Sequence, residues 1–242
     1  MISTAFYDAL LRGLDDSVRV ERLVHGVAWT AAVLSDGRCG VAMHTTGETV
    51  PRMFPTLVGL QVNEAGKAIL SWNMEEASEA FAAVNAFYNT PGCGFELPTA
   101  KGLDGLDLTG KKVGMVGYMI GHSNITAKLL APAEKLWIMD REEKDGAYPD
   151  SACEFFLPEC DVVIITGSAA INKTMPRLLE LSKNALVILT GPSVTCCPEL
   201  LDIGIFRLNG RSITDPEPML RRITEKRMSV NEWSETFQLT RK

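Results

Sequence analysis

The 242-residue sequence is informative first through what it lacks. No stretch reaches the ~18 uninterrupted apolar residues that a membrane-spanning helix requires. The opening segment, MISTAFYDALLRGLDD, has no basic region followed by a long apolar core, so no secretory leader is expected. There is no G-x-S-x-G, no G-x-x-x-x-G-K-S/T and no H-E-x-x-H, which removes the best sequence support for serine-hydrolase, P-loop and zincin mechanisms. Neither a C-x-x-C nor an H-x-x-x-H pair occurs, so no zinc-ligand spacing can be read from the chain. The six cysteines, at 39, 93, 153, 160, 196 and 197, are scattered rather than laid out as a disulfide framework. Reduced thiols and a cytoplasmic location are the expectation. A dense basic stripe is missing too: the net charge is −6. Arg221, Arg222, Lys226 and Arg227 alternate with apolar residues at helical spacing, as on a solvated helix face. Nucleic acid and membrane are therefore not expected partners.

What is present suits an ordinary globular chain, with 46% hydrophobic and 22% charged residues, long enough for one large domain or two small ones. Ile2, Phe6, Ala9 and Leu10 predict a short amphipathic helix over 2–12. Val18, Val20, Val24, then Val27, Trp29, Ala31 and Val33 alternate as strands do, and Asp36-Gly37 makes a tight turn before Cys39–His44. An antiparallel meander of about three strands follows from that pattern. Asn73, with Glu76 three residues on, resembles a capping box, and Ala77, Phe81, Val84 and Tyr88 share a face of the helix behind it. Two prolines and two glycines in Asn89–Pro98 then mark a boundary. This divides the chain into an α+β domain, 1–98, and a second domain, 99–242.

The second domain has a different rhythm. Lys111–Gly117, Lys135–Asp140, Asp161–Thr166, Ala185–Thr190 and Gly204–Leu208 are short, nearly continuous apolar runs, as parallel strands buried on both faces should be. Helical stretches lie between them, one with Pro176 in its first turn. The fold class is α/β, with a doubly wound, Rossmann-like parallel sheet. A helical C-terminus with exposed Trp233 and Phe237 is expected to follow.

In such a sheet, ligands bind beyond the C-terminal strand ends, near the point where strand order reverses. The first run ends in Gly117–Asn124, the second in Asp140-Arg141, the third in Thr166-Gly167-Ser168 and the fourth in Thr190-Gly191-Pro192-Ser193. Glycines admit close approach, and hydroxyls and N–H groups donate to anionic oxygen, although idle turns have the same composition. The spacing Gly114-x-x-Gly117-x-x-x-Gly121 is not the dinucleotide fingerprint, while Asp140 stands where a ribose-binding acid would. NAD(P) is therefore disfavoured. His122 reads equally as a ligand contact or as a polar residue at a helix start. His122, Asp140 and Cys196 are the candidate transition-metal set, but adjacent Cys196-Cys197 also reads as two small residues entering a helix. His25 and His44 read as hydrogen-bonded strand-edge histidines. Asn85 lies on an apolar helix face and must find partners, in a neighbouring loop or in a cleft. Lys173 either meets an anion or is solvated.

The segments VHGVAWTAAVLSDGRCGVAMHT and AAVNAFYN resemble the first module, DUF4213, of a family of uncharacterised prokaryotic proteins. LTGKKVGMVGYMIGH, GSAAINKTMPRLLELSK and LTGPSVTCCPELLDIGI resemble its second module, DUF364, which carries a heavy-metal chelation label. The resemblance covers nearly the whole chain. It implies an enolase-N-terminal-like α+β domain joined to a Rossmann-like domain, with a site in the cleft between them. Asn85, Gly117, Gly121, His122, Asp140, Gly167, Ser168, Asn172, Gly191, Pro192 and Ser193 fall in the matching motifs and are the cleft candidates. The vicinal cysteines depart from the usual pattern, which weakens any chelation mechanism resting on them.

The leading expectation is a protein that binds a small anionic or metal-chelating ligand at the strand edge, capped by the first domain. An enzyme acting on a small molecule there, including a nicotinamide-dependent oxidoreductase, is the alternative. Base rates of symmetry alone favour a homodimer.

Overall fold

The computed structural model describes residues 4–46, 50–93, 96–98, 103–120, 125, 127–225 and 229–241. Period-two alternation produces the meander: β1 (Val20–His25), β2 (Trp29–Leu34) and β3 (Cys39–Met43) pair antiparallel in chain order. Gly37 closes the second hairpin with a φ of 88°, a conformation that suits glycine. Helix α1 (Ala5–Arg12) buries Phe6, Tyr7, Ala9 and Leu10, and a short α2 (Val62–Ala65) leads toward the long α3 (Met74–Tyr88).

Asn73 caps α3 as its side-chain oxygen accepts the Glu76 N–H at 3.1 Å. The reciprocal half of the capping box does not form. Glu76 is fully buried, and its carboxylate instead accepts the N–H groups of Met53 and Phe54, both at 2.8 Å. A buried carboxylate is better satisfied by two backbone donors than by one. Every residue of α3 from Glu76 to Tyr88 is buried, because the helix is sandwiched between meander and large sheet. Its alanines permit that closeness, and so does Gly40 on β3, where a Cβ would collide with Ala86 N and Ala82 O.

The apolar runs of the second half form β4 (Lys112–Val116), β5 (Lys135–Asp140), β6 (Tyr148–Pro149), β7 (Val162–Thr166), β8 (Leu186–Thr190) and β9 (Ile205–Ile213). They are mutually parallel, and β10 (Ser234–Thr240) adds antiparallel to β9, in the order β10-β9-β8-β7-β4-β5-β6. Strand order reverses between β4 and β7. Helices α4 (Ala127–Leu130), α5 (Cys153–Phe156), α6 (Ser168–Ile171), α7 (Met175–Leu181), α8 (Glu199–Asp202) and α9 (Pro216–Ile223) occupy the connections. One sheet face presents Val116, Ile165, Leu189 and Leu208 to a core shared with Phe81 of α3. The other presents Val113, Met115, Ile164 and Ile188 to Leu103 and Leu108. Burial on both faces is why these strands read as continuous apolar runs. Among the described residues no helix is long and apolar enough to cross a membrane.

Two expectations fail at the C-terminal end. The last segment is not helical, and Trp233 and Phe237 are buried, at 7% and 9% exposure. SETFQLT alternates Phe237 and Leu239 with polar residues, and the free edge of β9 supplies its ladder. Strand β9 also outruns the expected Gly204–Leu208. It passes the end of β8, so that Ile213 packs with Val33 and Val41 of the meander and with Met219 and Ile223 of α9. The segment expected as a boundary is bonded on both sides. Asn89 donates to Val194 O at 2.7 Å and accepts from Cys196 N at 2.8 Å, and Pro98 O accepts from Gln238 N at 3.0 Å.

Candidate functional site

The expected edge candidates divide into braces and open groups. Asp140 ends β5 with both carboxylate oxygens engaged, by Tyr118 N at 2.6 Å and Glu142 N at 2.8 Å, which ties the turn after β4 to β5. Gly117 has a φ of 92°, and a Cβ there would lie 2.8 Å from Thr166 Cγ2. Gly167 supports the turn after β8, because a Cβ would stand 2.6 Å from Ser193 C and Val194 N. Ser168 Oγ lies 3.2 Å from Thr166 Oγ1. Gly191 (φ 116°) and the half-buried Pro192 form the turn itself, and Ser193 Oγ accepts Met43 N–H at 2.9 Å, joining β3 to the sheet edge.

Asn172 caps the C-terminal end of the one-turn α6 and accepts from Thr174 N and Oγ1 at 3.2 and 2.6 Å. Asn85 is satisfied inside the protein, donating to Val41 O at 2.8 Å and accepting from Thr195 Oγ1 at 2.5 Å. It bolts α3 between β3 and the segment after β8. Lys173 is half-buried and its ammonium is held by the protein. Its backbone has a φ of 68°, and its ammonium donates to Ile69 O at 2.6 Å and Ile171 O at 3.1 Å above the rings of Tyr7 and Phe81. Burial pulls its pKa down to about 8.

Gly121 and His122 lie outside the described residues. The other two members of the expected metal set do not meet. Asp140 closes β5, whereas Cys196 packs where Gly210 of β9 lacks a side chain. Strands β4, β7 and β8 separate them, roughly 20 Å at ordinary strand spacing. Cys196 is fully buried, and burial pushes its thiol up to about 12. Cys39, Cys153 and Cys197 are pushed to about 12 and Cys160 to about 11, also by burial. None of these thiols is poised as a thiolate ligand at neutral pH.

One constellation was not singled out in the sequence. Glu75 and Glu79, one turn apart on α3, meet His25 at the end of β1, and their donor atoms all lie within 4.8 Å of one another. Among the described residues this is the one group of three His, Cys, Asp or Glu close enough to share an ion. His25 Nε2 is 3.0 Å from Glu79 Oε1, and Arg52 grips both Glu79 oxygens, one through Nη1 at 3.2 Å and the other through Nη2. Glu79 is 3% exposed while His25 is 41% exposed at the side chain, so the group opens outward from a buried base. The His44 ring lies 5.9 Å from that of His25, with Nδ1 2.9 Å from Thr30 Oγ1. His44 follows Met43, whose N–H is held by Ser193 in the turn after β8. Elsewhere the two halves enclose a void of about 10 Å³ lined by Phe6, Phe81, Gly167, Ser193 and Thr195, with room for one water at most. The i, i+4 carboxylates were the available signal; their histidine is 54 residues before Glu79 and only the fold supplies it.

Residues 104–236 match DUF364 and residues 7–88 match DUF4213, both described as "Putative heavy-metal chelation". The chain belongs to the DUF364 family. An uncharacterized protein of Methanocaldococcus jannaschii is 32% identical over 166 residues, covering 62% of this chain; the chain spans 60% of that relative's length. A DUF364 protein of unknown function from Desulfitobacterium hafniense DCB-2, solved by crystallography, is 31% identical and superimposes with a TM-score of 0.83 over 97% of this chain and 96% of its own. A DUF364 protein from Pyrococcus horikoshii shares the fold at 22% identity, with a TM-score of 0.78 over 99% of this chain and 100% of its own.

Proposed function

We propose that this DUF364 protein binds a borderline divalent transition metal through His25, Glu75 and Glu79, at the mouth of a cleft between its two halves. The observation that carries this reading is the convergence of one imidazole and two carboxylates within 4.8 Å. The donor set fits the family's description in kind and narrows it. Imidazole with carboxylates suits zinc, iron, manganese or nickel, whereas soft heavy metals prefer thiolate. The buried, protonated thiols argue against a cysteine-based chelation site. Three protein donors leave coordination positions for water or for a small chelating molecule in the cleft. We read the strand order, 3-2-1-4-5-6 with an added antiparallel strand, as Rossmann-like, and the meander with α3 as the enolase-N-terminal-like cap, divided near residue 98. The glycine turns at Gly117, Gly167 and Gly191 are the floor of that cleft in this reading.

Calorimetric titration with zinc, manganese and cadmium tests it. One equivalent of zinc or manganese should bind the wild type, and His25→Ala or Glu79→Gln should weaken it at least about tenfold. Cadmium binding that survives both variants and vanishes in Cys93→Ala or Cys196→Ala would assign the metal to sulfur instead.

A further inference from the structure

We propose that the Arg211 guanidinium forms an oxyanion-binding site at the C-terminal edge of the parallel sheet, taking the carboxylate or phosphate of a small molecule. Register places it there. Thr166 pairs with Thr190, Thr190 with Asn209, Asn209 with Gln238 and Arg211 with Thr236, and paired residues share a sheet face. Arg211, two residues beyond Asn209, therefore stands on the same face as Thr166, Thr190, Asn209 and Gln238. That is where β9 runs past the end of β8, and open α/β sheets take ligands beyond such strand ends.

The side chain is 7% exposed, yet among the described residues no carboxylate lies within ion-pair distance of it. Among the described residues its Nη1 reaches neutral acceptors, Ser234 O at 3.4 Å and Ser234 Oγ at 3.2 Å. Arg207, on the same strand face, differs: its Nη1 donates to Asp104 O at 2.9 Å and the Asp104 charge supports it. For Arg211, burial weakens the hold on the proton, and among the described residues no acid opposes that. Buried charges in proteins are ordinarily paired, and a guanidinium fork is shaped for two oxygens of one carboxylate or phosphate. The missing counter-charge is the ligand's. This site uses none of the donors of the cation cluster, and its test contains no metal.

The test is thermal unfolding and calorimetry of the full chain, in inorganic phosphate or malonate against chloride at equal ionic strength. Wild type should melt higher in one oxyanion, phosphate indicating a phosphoryl ligand and malonate a carboxylate. Arg211→Met should bind that oxyanion at least about tenfold more weakly, as expected for losing charge-assisted hydrogen bonds. In chloride it should melt no lower than wild type, because an uncompensated buried charge has been removed. Arg211→Lys, which keeps the charge without the fork, should respond only partly. A wild type unmoved by both oxyanions overturns the proposal, whatever the variants do. So does an Arg211→Met protein that responds like wild type. One that melts far below wild type in chloride, or fails to fold, shows a structural arginine and overturns it as well.

Discussion

Glu79 is almost wholly buried, and its oxygens are divided between the His25 imidazole and the Arg52 guanidinium. That sharing sets what each neighbouring substitution should do. Arg52 is the resident counter-cation of the carboxylate, so in the metal reading it competes with the ion. Arg52→Met should leave Glu79 uncompensated and lower the stability of the metal-free protein by a few kcal/mol. The same variant should bind zinc more tightly than wild type and recover its melting temperature when zinc is added. Scanning calorimetry with and without zinc reads both effects; a variant that zinc does not rescue removes Arg52 from the cation site. Residues acting at this scale were hardest to see in the sequence. Glu75 and Glu79 were visible as neighbours on a helix, but a strand-edge histidine has no local mark that distinguishes a ligand from a hydrogen-bonded ring. Arg52 lies in an irregular segment, and its grip on Glu79 depends on Glu76 holding Met53 and Phe54.

At the scale of elements, the packing of α3 on β3 depends on Gly40, and the hairpin beside it turns at Gly37. The two glycines should behave oppositely. Gly40→Val pushes a side chain into the backbone of Ala82 and Ala86, and should cost several kcal/mol or prevent folding. Gly37→Asn places a residue that tolerates left-handed backbone into open space, and should change the unfolding free energy obtained from urea titration by less than about 1 kcal/mol. Equal effects would mean that α3 does not sit as tightly as described. Elements of this kind were largely legible. The β5 run is continuous and apolar between Lys135 and Asp140 because both of its faces are buried, and the Asn73 cap has a local signature. Strand β10 was not legible in the same way. Trp233 and Phe237 follow the basic α9 segment, and their burial depends on the free edge of β9, a partner that no local pattern announces.

For the whole molecule, the buried thiols predict an alkaline limit. Cys39, Cys153, Cys196 and Cys197 ionise near 12 and Cys160 near 11 when folded, against 9.0 in the open chain. Between those values the unfolded state alone releases the protons, so stability falls as pH rises above about 9. Each thiol adds a slope of up to about 1.4 kcal/mol per pH unit. Lys173 acts in the other direction. Its folded value near 8 lies below 10.5, so its burial penalty is full below pH 8 and disappears by 10.5. One lysine cannot offset five thiols, and urea midpoints at pH 8.5 and 10.5 should show a clear loss. A flat profile would contradict the burial of the cysteines, and with it the reason for assigning the metal to imidazole and carboxylate. That assignment is tested most directly by native mass spectrometry with elemental analysis, on wild type and Glu79→Gln purified without chelator or oxygen. One zinc, iron, manganese or nickel ion is expected per wild-type chain and none in Glu79→Gln. An ion retained equally by both proteins would contradict that assignment.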